Sequence, residues 1–187
     1  FVYHLDANFR KYLSDVYENE IANHSVVLDL MSSWDSYLPK GKKYKKVIGH
    51  GLNKQELEKN NILDSYWIQN FNRIQEIPLD NESVDYCLMV AAWQYLQYPE
   101  NLTKEIVRIL KFQGKIIISF SNRAFWHKAP NIWISSSEEE RVKYVRKVLI
   151  TNGFNEPKII KKFNEPSLNI FKFLKNDPFY CLIATKE

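Results

Sequence analysis

The chain has 187 residues, 45% hydrophobic and 26% charged, a size and balance suited to one domain with a core of its own. Its net charge of +4 is mild and comes mainly from lysine, with only six arginines, which argues against a nucleic-acid surface. The run Lys40, Lys42, Lys43, Lys45 and Lys46 reads as a solvated loop. No apolar stretch nears membrane-spanning length and no signal-peptide pattern appears, so no membrane partner and a cytoplasmic location are expected. Cys87 and Cys181 lie in apolar runs and read as buried thiols. The four histidines lack ligand spacing, so no metal site is expected.

In chain order, Asp6 caps a helix whose apolar positions Phe9, Leu13, Val16 and Tyr17 form one stripe. Residues 1–24 are read as an N-terminal segment placed to cover a site. Val26 to Leu30 is a buried strand broken only by Asp29, and the turn after it contains no glycine. A short helix or turn is expected over 34–38. A second strand runs from Lys46 to His50, followed by a helix over 54–60 capped by Asn53 and a third strand from Tyr66 to Asn70. The turn cluster 77–83 leads into a strand from Val84 to Val90.

Pro99 opens a helix carrying Leu102, Ile106, Ile109 and Leu110, with Gly114 as its breaker, and Lys115 to Phe120 is the next strand. Ser137 and Glu140 form a capping box for a helix with Val142, Val145 and Leu149, stopped by Gly153. Two last strands, Pro157 to Lys162 and Phe179 to Thr185, enclose Pro166 and Pro178 without a helical stripe between them. They predict a closing hairpin and hence one antiparallel strand. The alternation before it predicts an α/β fold, one domain over 1–187, with a mostly parallel sheet and helices on both faces. In such sheets ligands bind at the carboxyl ends of the strands, which selects 29–35, 49–53, 69–72, 90–95 and 119–127.

Five stretches carry a family resemblance. They are Val27-Leu28-Asp29-Leu30, Ile77-Pro78-Leu79-Asp80-Asn81-Glu82-Ser83-Val84-Asp85, Gln94 to Pro99, Glu105 to Gly114, and the terminal Phe179 to Lys186. Together they resemble the small bacterial type 11 kind of class I S-adenosylmethionine-dependent methyltransferase. The resemblance implies a Rossmann-like seven-stranded sheet, S-adenosylmethionine as cofactor and methyl transfer to a small molecule. The family's loop glycines fall near Met31, Ser33 and Asp35, and its ribose-gripping acid falls on Gly51, so two cofactor contacts are altered.

On this reading Asp29 reaches the cofactor's ammonium, Ser32 and Ser33 offer hydroxyls and N–H groups to its carboxylate, and Asn53 replaces the ribose acid. Asn70 and Asn72 face the adenine, with Met31, Gly51 and Ala92 completing the cofactor wall. Met31 also reads as a packing residue, and Asn70 and Asn72 as turn residues. Tyr3, His4, Gln94, Tyr95, Arg123 and Trp126 are the candidate acceptor residues, with His4 and Tyr95 the candidate general bases. Arg123 suits an anionic group or, equally simply, an ion pair with Asp85 or Glu105. No nucleic-acid partner is expected, and the protein is read as a monomer or homodimer. The rival reading is a catalytically inactive binding or regulatory protein on the same fold.

Overall fold

A computed structural model describes residues 3, 5–163 and 177–187; His4 and Pro166 lie outside them. The elements are α1 (Ala7–Glu20), β1 (Val26–Leu30), β2 (Lys46–Gly51), α2 (Lys54–Lys59), β3 (Ser65–Ile68), β4 (Val84–Val90), α3 (Pro99–Ile109), β5 (Leu110–Phe120), α4 (Asn131–Ile134), α5 (Glu138–Thr151), β6 (Lys158–Lys162) and β7 (Phe179–Thr185). They build one seven-stranded sheet in the order β3-β2-β1-β4-β5-β7-β6. β1, β2, β3, β4 and β5 pair in parallel, and β7 runs antiparallel to both β5 and β6. This is the Rossmann-like methyltransferase arrangement, and the reversal of strand order beside β1 opens the crevice where ligands bind.

Local signals set the helix starts. Asp6 accepts from Phe9 N at 2.7 Å, Pro99 occupies the first turn of α3, and Ser137 and Glu140 close a reciprocal capping box. Alternate residues of the central strands feed two cores. Leu28, Leu30, Cys87, Met89, Ile116 and Ile118 pack with α3 and α5, while Val27, Leu88, Ile117 and Cys181 pack with α1.

Several boundaries differ from the sequence reading. Residues 34–38 form no helix: Tyr37 N–H donates to Asp35 Oδ1 at 2.8 Å, and Tyr37 takes a left-handed φ of 55°. α3 ends at Ile109 rather than near Gly114, because Leu110 pairs with Val84 and joins β5 early. Gly114 serves a bulge, where a Cβ would lie 2.8 Å from the Lys111 carbonyl. β3 starts one residue early and stops at Ile68, leaving Gln69 and Asn70 in the following turn.

The basic loop has a structural task. The Lys42 ammonium donates to the carbonyls of Tyr17, Glu18 and Ile21, capping the end of α1. The stretch 77–83 is held by Arg108, which donates to the Ile77 and Leu79 carbonyls at 2.7 and 2.9 Å and to Asn81 Oδ1 at 2.8 Å. Glu105 braces the Arg108 guanidinium and accepts from Ile77 N.

Candidate active site

A cavity of about 920 Å³ opens at the carboxyl ends of β1, β4 and β5. Asp29, Met31, Ser32 and Ser33 line it after β1, Ala91, Ala92, Gln94 and Tyr95 after β4, and Ser121 to Trp126 after β5. Leu5 from the N-terminal segment and Asp177 from the segment before β7 complete the wall. Met31, Tyr37 and Ala91, all in this wall, adopt left-handed φ values of 55°, 55° and 48° without being glycine. Such backbone persists only where its surroundings hold it.

For Met31 the holding groups come from β2. Met31 N–H donates to His50 Nδ1 at 3.1 Å, and Ser32 N–H donates to the His50 carbonyl at 2.6 Å. Nδ1 is therefore an acceptor, which puts the ring proton on Nε2, and Nε2–H donates to the Gln69 carbonyl at 2.9 Å. Burial lowers the His50 pKa to about 4, so the ring is neutral at physiological pH. Its face packs on Phe71 with centroids 3.9 Å apart. At Gly51 any Cβ would come within 2.8 Å of the Ser32 carbonyl. The turn after β1 lacks glycine, and the glycine that permits its close approach stands on the neighbouring strand.

Beneath the turn, Asn60 donates to the Ser33 carbonyl at 2.9 Å and to the Ser36 hydroxyl at 2.8 Å. The Ser32 hydroxyl donates to Asp29 Oδ2 at 2.5 Å. Asp29 is 2% exposed, and this burial raises its pKa to about 6 despite hydrogen bonds from Ser32 and Ser36. Asp29 thus changes charge near physiological pH.

Of the residues selected from sequence, the cavity brings together Asp29, Met31, Ser32, Ser33, Ala92, Gln94, Tyr95, Arg123 and Trp126. It does not include Gly51, Asn53, Asn70, Asn72 or Tyr3. Asn53 caps α2, accepting from Gln55 N and Glu56 N, so its side chain is engaged there instead of across the crevice. Asn70 accepts from Asn72 N, and Asn72 bridges the Tyr95 carbonyl and Gln97 N, joining the loops after β3 and β4. Tyr3 donates to Asp35 Oδ2 at 3.1 Å, with the Arg10 guanidinium 3.8 Å above its ring. The Ser32 hydroxyl and N–H, both engaged as donors, do not serve a carboxylate as first read. Asn60 and Asp177 lie outside the segments selected from sequence, and His50 and Asp35 lie within them without an assigned role. Of these, His50 gave a signal, since a polar side chain inside an apolar strand must find partners.

Arg123 pairs with Asp177, instead of with Asp85 or Glu105. Asp85 binds Lys111 and Val26 N, and Glu105 binds Arg108 and Ile77 N. Asp177 is 2% exposed and exchanges bonds with Asp6: Asp177 N–H donates to Asp6 Oδ2 at 2.6 Å, and Asp6 N–H to Asp177 Oδ2 at 3.2 Å. Removing the cation leaves a buried carboxylate without its ion pair, although Arg123 itself is 57% exposed, which limits the loss. Arg123→Ala is expected to destabilise the protein by about 1–3 kcal/mol, read as a lower thermal midpoint. An unchanged midpoint would show that the pair contributes nothing.

Residues 37–118 match a family model described as a methyltransferase domain, of type 11. Over this segment the chain is similar to the type 11 methyltransferase domain. The match begins just after the glycine-free turn and takes in Gly51. No curated protein matches the chain. Among solved structures, a putative S-adenosylmethionine-dependent methyltransferase from Listeria monocytogenes is 16% identical, with a TM-score of 0.69, covering 99% of this chain and 100% of that one. A possible histamine N-methyltransferase from Thermotoga maritima is 21% identical, with a TM-score of 0.67 and coverages of 96% and 90%. A complex of the Trm112 methyltransferase activator with a putative methyltransferase from Haloferax volcanii gives 15% identity, a TM-score of 0.68 and coverages of 93% and 87%. At these identities the likeness establishes the fold alone.

The cofactor of such a domain is S-adenosylmethionine, and the cavity's donor set fits its cationic end. Asp29, Asp35 and Asp177 line the wall against a single arginine. Position 51, where the resemblance puts a ribose-binding acid, has no room for a side chain beside the Ser32 carbonyl.

Proposed function

We propose that this protein is an S-adenosylmethionine-dependent methyltransferase acting on a small-molecule acceptor. The observation that carries this reading is the acid-lined cavity at the strand ends of a type 11 methyltransferase domain. Its volume falls within the range of about 300–1,000 Å³ typical of small-molecule sites. When bound, the cofactor supplies an electrophilic methyl group on a sulfonium.

The chain's own residues then act mainly by position. The turn at Met31 to Ser33, held by His50 and Asn60, forms a floor shaped before the ligand arrives. Asp29, once ionised, faces the ammonium end of the cofactor. Leu5, Phe125 and Trp126 supply apolar cover that keeps water from the reacting atoms. Tyr95 accepts from Phe125 N at 3.0 Å and keeps its own hydroxyl proton to donate, so it suits orientation of the acceptor.

A cationic ligand selects the ionised form of Asp29, so binding below pH 6 expels a proton. Affinity for the demethylated cofactor, S-adenosylhomocysteine, is expected to tighten about tenfold between pH 5 and pH 7.5, following ionisation of a group with a pKa of about 6. Calorimetric titrations across that range check this. Binding that does not vary with pH would remove Asp29 from the site, and no binding at any pH would remove the methyltransferase reading.

A further inference from the structure

We infer that Gln94 receives an N–H group of a planar methyl acceptor, so the substrate class is an N–H-bearing heterocycle or aryl amine; this rests on the methyltransferase reading above. Gln94 leaves β4 on the short turn Trp93–Tyr95 and stands in the cavity wall while only 2% exposed. Its Nε2 donates to the Arg123 carbonyl at 3.5 Å. A carbonyl can only accept, so this contact sets the orientation of the carboxamide, with nitrogen toward Arg123. Oε1 is left without a donor among the described residues. A buried amide oxygen with no donor is an exception that calls for a partner, and the residue that carries it lines the cavity.

The surroundings select the rest of the molecule. Tyr95, Phe125 and Trp126 share the wall, and the Tyr95 and Phe125 rings lie 6.3 Å apart at 31°. Aromatic surfaces of this kind favour a flat ligand. Asp29, Asp35 and Asp177 disfavour an anion, since Arg123 is already committed to Asp177. A neutral or cationic N–H donor meets both conditions. Gln94 Oε1 holds the N–H without taking its proton, because a carboxamide is not a base at neutral pH. The proton displaced as the N–C bond forms passes to solvent, and the electron pair of the broken C–S bond stays on sulfur.

Benzimidazole and 1-methylbenzimidazole differ by the one N–H and serve as probes. Calorimetry on the wild-type protein, with and without S-adenosylhomocysteine, is expected to show benzimidazole binding about tenfold more tightly or better. Gln94→Met should erase that preference while leaving S-adenosylhomocysteine affinity within about twofold, and Gln94→Glu, which keeps an acceptor, should retain it. If Gln94→Met fails to fold, the wild type and Gln94→Glu still decide. Equal binding of the two probes, or binding of neither, overturns the inference. So does a large loss of S-adenosylhomocysteine affinity in a folded Gln94→Met, which would assign Gln94 to the cofactor. Failure of S-adenosylhomocysteine itself to bind the wild type is a separate result and tells against the methyltransferase reading.

Discussion

Gly51→Asp, which restores the acid the family carries at this position, is expected to destabilise the protein by roughly 3 kcal/mol or more and to weaken cofactor binding. The reason is steric and electrostatic together. A Cβ at position 51 would lie 2.8 Å from the Ser32 carbonyl and 3.3 Å from the Leu57 side chain. The new carboxylate would then sit in a buried position against a carbonyl oxygen, where both partners only accept. The turn would have to lift, losing the bond from Ser32 N–H to the His50 carbonyl and the support that keeps Met31 left-handed. Chemical denaturation and S-adenosylhomocysteine titration of the variant check both halves. Tighter binding with unchanged stability would show that the end of β2 is an ordinary ribose site.

The second large effect concerns pH. His50 has a pKa of about 4 when folded, against 6.5 ordinarily, so folding favours the neutral ring. Its contribution to stability is present above pH 6.5 and is lost as the pH falls toward 4. Asp29 is raised to about 6 from 3.8, so folding favours its protonated form. Its contribution is greatest below pH 3.8 and is lost as the pH rises through 6. Each shift corresponds to about 3 kcal/mol, and the opposed slopes overlap between pH 4 and 6. Asp29→Asn should therefore expose the His50 slope, with stability rising by about 3 kcal/mol relative to the wild-type profile as the pH goes from 4 to 6. His50→Asn should expose the opposite slope. Urea denaturation at a series of pH values measures both, and two variants that keep the wild-type profile would contradict the account.

The pairing of a strained turn with a histidine latch explains which parts of the site the sequence made visible. Asp6, Pro99 and the Ser137–Glu140 box act within one helical turn of their own position, so their patterns can be read locally. The stretch from Ile77 to Gly114 carried the family resemblance, and much of it proves to be scaffold: Arg108 and Glu105 clamp the turn 77–83. The cavity's floor is different. Met31 depends on His50, Ser33 and Ser36 on Asn60, and Arg123 on Asp177, which lies beside Asp6 from the other end of the chain. These partners are set by tertiary packing and leave little periodic trace. Asn53 shows the converse error, because a capping asparagine and a ribose-binding asparagine look alike in sequence, and the N–H groups of α2 engage it first. The expected helix over 34–38 fails for a similar reason, since Asp35 binds its own neighbour Tyr37 N and turns the chain away from helical geometry.

In the proposed function a glycine-free turn, latched by His50 and floored by Asn60, holds S-adenosylmethionine through the buried carboxylate of Asp29. Calorimetric titration of S-adenosylhomocysteine into the wild-type protein and Asp29→Ala at pH 7.5 tests it most directly. Micromolar binding to the wild type is expected, with a loss of about tenfold or more in the variant, as when a charge-assisted contact is removed. No detectable heat at millimolar ligand, or equal affinity of the two proteins, would contradict it.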